Sequence, residues 1–541
     1  MFEIGKDIFK HGFNGAMRDA VGYARLRYIH IFFVIAFVVF GVTTLWLAVQ
    51  GATRVRPNYG DGAWAVSRAD IIDRNGDILA KNLMSCHIAL TPGRVTKREE
   101  LAQFVYDLFP YEYTLRDVLK ILDGSRRTYI KKYAPDEKCK AAIGAKFEGL
   151  DIESAQKRKY PKRRLFSHIV GFVGNEGHGL DGVERLYDSY LVDNPEEPLQ
   201  LSVDSRIQSV FYEQLSIAMQ KYGAHAAMGL LMDSRTGEMI AMVSLPDYDP
   251  ENIGLDAAAN RLFKPMRATF EMGSIFKIFN TAMAIEQGIT KEYYVKEPFK
   301  IYDKFGRVAN KISDVRSFKP PRPNLSVEEI MLHSCNVGSA QIALDLPEGT
   351  QQEFMHRVHL DEPLDLEFGR TERTLMPRKW GPVERATVSF GHGISVTPMH
   401  LLLAVNSMIN GGIYIYPTLL KKTFGPLRGA RVLADDISAR LRAIMFRITE
   451  ETTAKQARIA GIKIGGKTAT AEKRVNGKID RFKNLTAFAG IFPVDAPQYT
   501  ILVILDEPKG TEETFGLRTA AWNAVPTTGK ILDSILPLLF E

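Results

Sequence analysis

Glu271-Met272-Gly273-Ser274-Ile275-Phe276-Lys277 is the stretch on which the reading of this chain turns. Residues three apart are neighbours on a helix surface, so Ser274 and Lys277 share one face. A serine hydroxyl is a poor nucleophile until a base takes its proton, and a lysine one turn away does so once its own pKa is depressed. The apolar run Ile275, Phe276, Ile278, Phe279, Ala282, Met283 and Ile285, closed by Gly288, predicts a helix starting at Ser274 and capped by glycine. A helix that is apolar nearly all round is buried, which would desolvate Lys277. A lone Ser-x-x-Lys occurs by chance in any long chain. Two pieces downstream give it weight: Ser334-Cys335-Asn336, and Lys467-Thr468-Ala469-Thr470 preceded by Gly465-Gly466.

Working outward, 541 residues exceed one ordinary core and imply at least two folded modules. Composition is globular, with 45% hydrophobic and 25% charged residues, and a net charge of +7 is mild for this length. No dense Lys/Arg stripe with interleaved aromatics is present, which argues against nucleic acid as a partner. A basic surface facing an anionic polymer or lipid stays open. Neither Cys-x-x-Cys nor His-Glu-x-x-His spacing occurs, so no metal or cofactor is implied. Cys86, Cys139 and Cys335 are too few for a disulfide framework. Whether Cys86 and Cys139 pair depends on whether they meet in the fold.

Residues 29–50 are almost unbroken apolar sequence without Asp, Glu, Lys or Arg, and about 20 such residues span a bilayer. A signal peptide would carry a shorter apolar core of roughly 7–15 residues and a small-residue cleavage site. Lys6, Lys10, Arg18, Arg25 and Arg27 precede the span, and only Arg54 and Arg56 closely follow it. The expectation is a single-pass anchor with residues 1–28 in the cytoplasm and the rest beyond the cytoplasmic (inner) membrane.

Asn75-Gly76, between apolar runs from Ile71 to Ala80, predicts a β-hairpin. Residues 98–160 are charge-rich and read as mostly helical. Pro195-Glu196-Glu197-Pro198 punctuates the chain, giving an elongated N-terminal module over 55–198 and a catalytic module over 199–541. The second module opens with a hairpin of Met228–Met232 and Glu238–Val243. It closes with strands at Ile462–Thr470, Thr486–Phe492 and Thr500–Leu505. The fold class expected is α+β, an antiparallel sheet flanked by helices.

With these residues the sequence resembles the class B penicillin-binding proteins. The likeness extends to Asp73-Arg74-Asn75-Gly76, Gly179-Leu180-Asp181-Gly182-Val183-Glu184, Asp249-Pro250-Glu251-Asn252 and Phe390-Gly391-His392-Gly393-Ile394-Ser395-Val396-Thr397-Pro398. Within that class the division-specific septal type is most similar and the elongation-specific type is the nearer rival. The resemblance implies a peptidoglycan D,D-transpeptidase with a pedestal module, β-lactams as inhibitors, and stem peptides as substrates. A membrane-embedded glycosyltransferase and other division proteins are its implied partners. Ser274 would be the nucleophile, Lys277 its base, Ser334 the proton shuttle, Asn336 an orienting group and Lys467 a support for Ser334. Thr468 and Thr470 would hold the terminal carboxylate, with the N–H groups of Ser274 and Thr470 as oxyanion donors.

Each residue has a blander reading. Ser334 or Asn336 would cap a helix over Val337–Leu344. Lys467 would be a solvated lysine, although two glycines before it suggest a strand edge approached by a ligand. His392 would shape a loop, and Cys335 would be a filler without an activating partner. Ala469 stands where the resembled family has glycine, so its methyl is expected to crowd the strand edge and slow acylation. A β-lactamase would need a base for water, and Glu372-Arg373-Thr374-Leu375-Met376 lacks the asparagine that would accompany it. A non-catalytic penicillin receptor is the third class of reading.

Overall fold

The computed structural model describes residues 31–43, 67–315, 319–422, 425, 427–475 and 478–540. The chain divides into two compact units, Met1–Trp64 and Ala65–Glu541. In the first, residues 31–43 form a helix whose side chains are all exposed. Among the described residues no helix is long and apolar enough to cross a membrane. The remainder of the expected 29–50 span lies outside the described residues.

The C-terminal sheet is antiparallel throughout, in the order Gly465–Val475, Lys478–Phe492, Tyr499–Asp506, Ala226–Asp233, Met239–Leu245. Its inner strands are apolar without alternation because both faces are covered. Ile501, Val503 and Leu505 point into a core shared with Phe211, Leu215, Ile531 and Ile535. These four belong to the helices Ser205–Lys221 and Ala524–Leu539. Leu502 and Ile504 point to the opposite face, as the two-residue period of a strand requires. There they meet the core of helices Lys277–Glu286, Pro398–Ile409 and Asp435–Glu451. The expected hairpin and the three C-terminal strands are all present, each longer than its sequence reading.

The N-terminal module is built on a second five-stranded sheet. Residues 98–160 are only partly helical: Arg98–Leu108, Leu115–Leu122 and Asp136–Ala145 are helices, whereas Thr128–Ala134 and Leu150–Lys159 are strands. Leu150–Lys159 is rich in charge, which hid it, but it pairs with Ile78–Leu90 along its whole length. Pairing partners far along the chain override local propensity. Leu199–Gln200, past the Pro-Glu-Glu-Pro punctuation, still pairs with Ile71–Ile72 in this sheet.

Two of the family-like runs are joints. Asp73 is fully buried; its carboxylate accepts the N–H groups of Asn75, Asp77 and, across the modules, Ser205 at 2.9 Å. Glu184, also fully buried, is gripped by Arg68 at 2.8 Å and Arg158 at 2.6 Å. A buried carboxylate is tolerable only with such pairing. Between modules, Arg164 meets Asp247 at 3.0 Å and Asp256 at 2.9 Å, and Lys159 meets Glu251 at 2.7 Å.

Cys86 and Cys139 do meet and form a disulfide with Cα atoms 5.8 Å apart, 53 residues separated in sequence. Cross-linking a loop of that length removes denatured-state entropy worth about 4 kcal/mol. Replacing both cysteines by serine should lower the unfolding midpoint of the N-terminal module under non-reducing conditions while sparing the catalytic module. An unchanged midpoint would show that the bond adds nothing.

Candidate active site

Ser274 and Lys277 are placed by a short 3-10 turn, Gly273–Phe276, that runs into the helix Lys277–Glu286. The helix therefore starts three residues later than its sequence suggests, with Ser274 on the tighter entry turn. The stretch before it is held by an antiparallel bridge from Phe270 to Val396. The Gly-His-Gly loop packs so closely that a Cβ at Gly391 would lie 2.2 Å from the Gly273 carbonyl oxygen. The Phe390–Pro398 run thus holds the Ser274 turn in place.

The three motifs converge on Lys277. Its Nζ lies within hydrogen-bonding distance of four oxygens, Ser274 Oγ at 3.1 Å, Ser334 Oγ at 3.2 Å, the Ser334 carbonyl at 2.7 Å and Asn336 Oδ1 at 2.6 Å. Ser334 Oγ also accepts from Lys467 Nζ at 3.0 Å, so one hydroxyl links both lysines. Lys467 reaches the Thr468 carbonyl at 3.2 Å as well. Both lysines are shut away from solvent, at 0% and 1% exposure, which is rare for lysine and directs attention to function. Burial lowers the Lys277 ammonium to about 8, against the opposing pull of the Asp314 carboxylate. Burial, then the nearby Lys277 charge, depresses Lys467 well below its ordinary value. Two ammonium groups sharing a dry site cannot both stay charged cheaply.

Ser334 sits at φ +58, a left-handed conformation that costs a non-glycine residue of order 1–3 kcal/mol and clusters at functional positions. That bend aims its carbonyl and hydroxyl together at Lys277. The following helix is Asn336–Asp345, and its N-cap is Cys335, neither Ser334 nor Asn336: the Gly338 N–H donates to Cys335 Sγ at 3.2 Å. The cap is supplied by the residue between Ser334 and Asn336, and the side chains of those two turn to the lysine.

Asp314 was not found from sequence. Its carboxylate accepts the Asn336 backbone N–H and, at 3.1 Å, the Cys335 thiol. Burial and this carboxylate push the thiol up to about 12, so Cys335 stays protonated. An aspartate in a loop 20 or so residues before its partner carries no local signal; only the fold brings them together.

The Gly465–Val475 strand is the sheet edge. Gly466 is required by packing: a Cβ there would lie 2.1 Å from the Phe488 ring. Gly466 thus admits a neighbouring side chain beneath the strand. Thr470 Oγ1 accepts the Ala520 N–H at 3.0 Å, which ties the segment after the last strand to this edge and leaves the hydroxyl hydrogen available to donate.

Lys467 and Ala469 lie on one face, as alternation dictates, but Ala469 is 2% exposed within the core cluster. Its methyl fills packed space beneath the sheet, so the expected crowding of the open edge does not come from it. Ala469→Gly removes a buried methyl and loosens the chain, costing about 1 kcal/mol. The expected result is a lower unfolding midpoint with no gain in acylation rate. A faster-acylating glycine variant would restore the crowded-edge reading.

Comparison with known proteins agrees with this geometry. Residues 227–526 match the penicillin binding protein transpeptidase domain, and residues 64–196 match the penicillin-binding protein dimerisation domain. The chain is 30% identical to a probable peptidoglycan D,D-transpeptidase FtsI of Caulobacter vibrioides, over 94% of this chain and 87% of that one. It is 27% identical to the peptidoglycan D,D-transpeptidase FtsI of Escherichia coli, over 72% and 69%. In structure it is similar to a peptidoglycan synthetase from Bifidobacterium adolescentis, with a TM-score of 0.67 at 17% identity, covering 88% of this chain and 96% of that one. With both modules matched in order and the lysine-centred site in place, the chain belongs to the penicillin-binding protein transpeptidase family, as a class B member of the FtsI type.

Proposed function

We propose that this protein is a membrane-anchored peptidoglycan D,D-transpeptidase that cross-links stem peptides through an acyl-enzyme on Ser274. The observation that carries the reading is the hydrogen-bonded chain Ser274–Lys277–Ser334–Lys467, each link within 3.2 Å and both lysines buried. Ser274 Oγ attacks the carbonyl of the penultimate D-Ala while Lys277, neutral, takes its proton. The proton passes through Ser334 Oγ to the departing D-Ala amine, and the amide C–N bond breaks. A stem-peptide amine then attacks the ester, the C–O bond to Ser274 breaks, and the proton returns by the same route.

Asn336 orients Lys277 and the substrate amide, and Lys467 keeps the Ser334 hydroxyl in line. Thr468 and Thr470, with the Ala469 backbone between them, take the terminal carboxylate. The N–H groups of Ser274 and Thr470 face the oxyanion, commonly the largest single catalytic term. β-Lactams enter as substrate mimics that stop at the ester.

The FtsI names of the relatives support a septal role, in which a membrane-embedded glycosyltransferase and other division proteins would be the partners. The Cys86–Cys139 disulfide supports an oxidising compartment beyond the cytoplasmic membrane. On this reading residues 1–28 are cytoplasmic, 29–50 the anchor, 55–198 the pedestal and 199–541 the transpeptidase. Topology reporters fused after residues 20 and 60 should be active on opposite sides of the membrane; a mature N-terminus beginning after residue 48 would mean a cleaved signal instead.

Function is tested by incubating the protein with labelled penicillin and, separately, with uncross-linked peptidoglycan. A persistent adduct together with cross-linked dimers is expected. Rapid turnover of the drug would indicate a β-lactamase, and an adduct without cross-links a receptor.

A further inference from the structure

Between the first two motifs the chain forms a hairpin, Phe299–Tyr302 and Val308–Ile312, that belongs to no larger sheet. Its inner face is short. Ile301 and Ile312 are buried with Ala340 of the Asn336–Asp345 helix. Directly after Ile312, the Ser313 carbonyl accepts from Asn336 Nδ2 at 3.5 Å and Asp314 holds the Asn336 N–H. The hairpin therefore stands on the element that carries Asn336, at the edge of the active site.

Its outer face is unusual. The register sets Lys300 directly opposite Lys311, and Tyr302 opposite Val308. Like charges directly opposed across a strand pair are destabilising. Among the described residues no carboxylate lies within ion-pair reach of Lys300, Lys304 or Lys311. At the tip Phe305 is 69% exposed, with the Lys304 ammonium 5.0 Å and the Arg307 guanidinium 5.1 Å from its ring centre. Tyr302 is 54% exposed. A repelling lysine pair beside open aromatic rings is a poor design for a solvated turn. It suits a ligand that brings carboxylates to the lysines and flat apolar ring faces to the aromatics.

We propose that the outer face of this hairpin binds the peptidoglycan strand itself, with Lys300 and Lys311 pairing with stem-peptide carboxylates and Tyr302 and Phe305 lying against sugar rings. The inference rests on the proposed function for the identity of the polymer. It adds a contact outside the catalytic cleft that brings a polymeric substrate to the site, and that a small penicillin does not use.

The test uses full-length protein in detergent with Ser274 already acylated by penicillin, so that the cleft is filled. Binding of soluble, uncross-linked, fluorescently labelled peptidoglycan strands is then measured by anisotropy. Strands should still bind, and the double variant Lys300→Glu/Lys311→Glu should bind roughly tenfold more weakly at low salt. Lys300→Gln/Lys311→Gln should fall between, and Phe305→Ala should weaken binding independently of salt. All variants should acylate with penicillin within about twofold of the parent, since none touches the cleft. Strands whose carboxylates have been amidated should lose the lysine-dependent part.

Equal strand binding by the parent and both lysine variants would overturn the proposal, as would undiminished binding of amidated strands. Lysine-dependent capture of phosphatidylglycerol vesicles, without binding of strands, would assign the face to lipid and overturn it too. Failure of the parent to form a penicillin adduct would count against the proposed function instead, leaving strand binding by the unmodified protein to be read separately.

Discussion

Ser274→Ala yields a folded protein that forms no adduct with labelled penicillin by intact mass. The substitution removes one acceptor from Lys277, which keeps the Ser334 carbonyl at 2.7 Å, Ser334 Oγ at 3.2 Å and Asn336 Oδ1 at 2.6 Å. The lysine therefore stays satisfied. Loss of one such bond costs stability only about 1 kcal/mol, while the effect on chemistry is complete if, as proposed, the covalent bond forms at that oxygen. Cys335, the nearest other nucleophile by type, is fully buried and holds its proton up to about 12. An adduct retained by Ser274→Ala would move the acyl group elsewhere and end this mechanism.

Lys277→Arg should lower the second-order acylation rate by about 10²–10⁴-fold, the usual contribution of a positioned base. Guanidinium stays protonated at any working pH, so the charge survives and the base does not. The parent enzyme carries the complementary signature. Only neutral Lys277 can accept the proton, and its ammonium titrates at about 8. The rate should accordingly rise with pH, level off above that midpoint, and fall roughly tenfold per unit well below it. Groups facing this lysine from the neighbouring elements are Asp314, the Cys335 thiol and Lys467. Asp314 favours the charged form, so Asp314→Asn should move the midpoint to lower pH. The isosteric amide still offers an oxygen to the Asn336 N–H. Near-parental acylation by Lys277→Arg would assign the base to another residue. A midpoint unmoved in Asp314→Asn would remove Asp314 from the electrostatics of the site.

Sequence alone carried the candidate site a long way. The three-residue offset of Ser274 and Lys277, the apolar helix that follows, and two further short motifs picked out residues that the structure brings together around Lys277, and the same helix foretold that Lys277 would be buried. The alternation from Lys467 to Thr470 placed Lys467 and Ala469 on a common face. Paired turns and apolar runs gave the hairpin and the C-terminal strands, because strands covered on both sides must be apolar throughout.

What the sequence could not give was partnership between distant residues. Leu150–Lys159 is a strand because Ile78–Leu90 lies beside it, not because its charged residues prefer to be one. Asp314 holds Asn336, and Cys86 bonds to Cys139, through chain reversals that leave no local trace. Gly466 faces a phenylalanine ring and the Ala469 methyl faces the core, neighbours that spacing along the chain does not reveal. Periodicity fixes which side of an element a residue is on, since that depends only on backbone geometry. What occupies that side is set by tertiary packing, and there the chemistry of the site was decided.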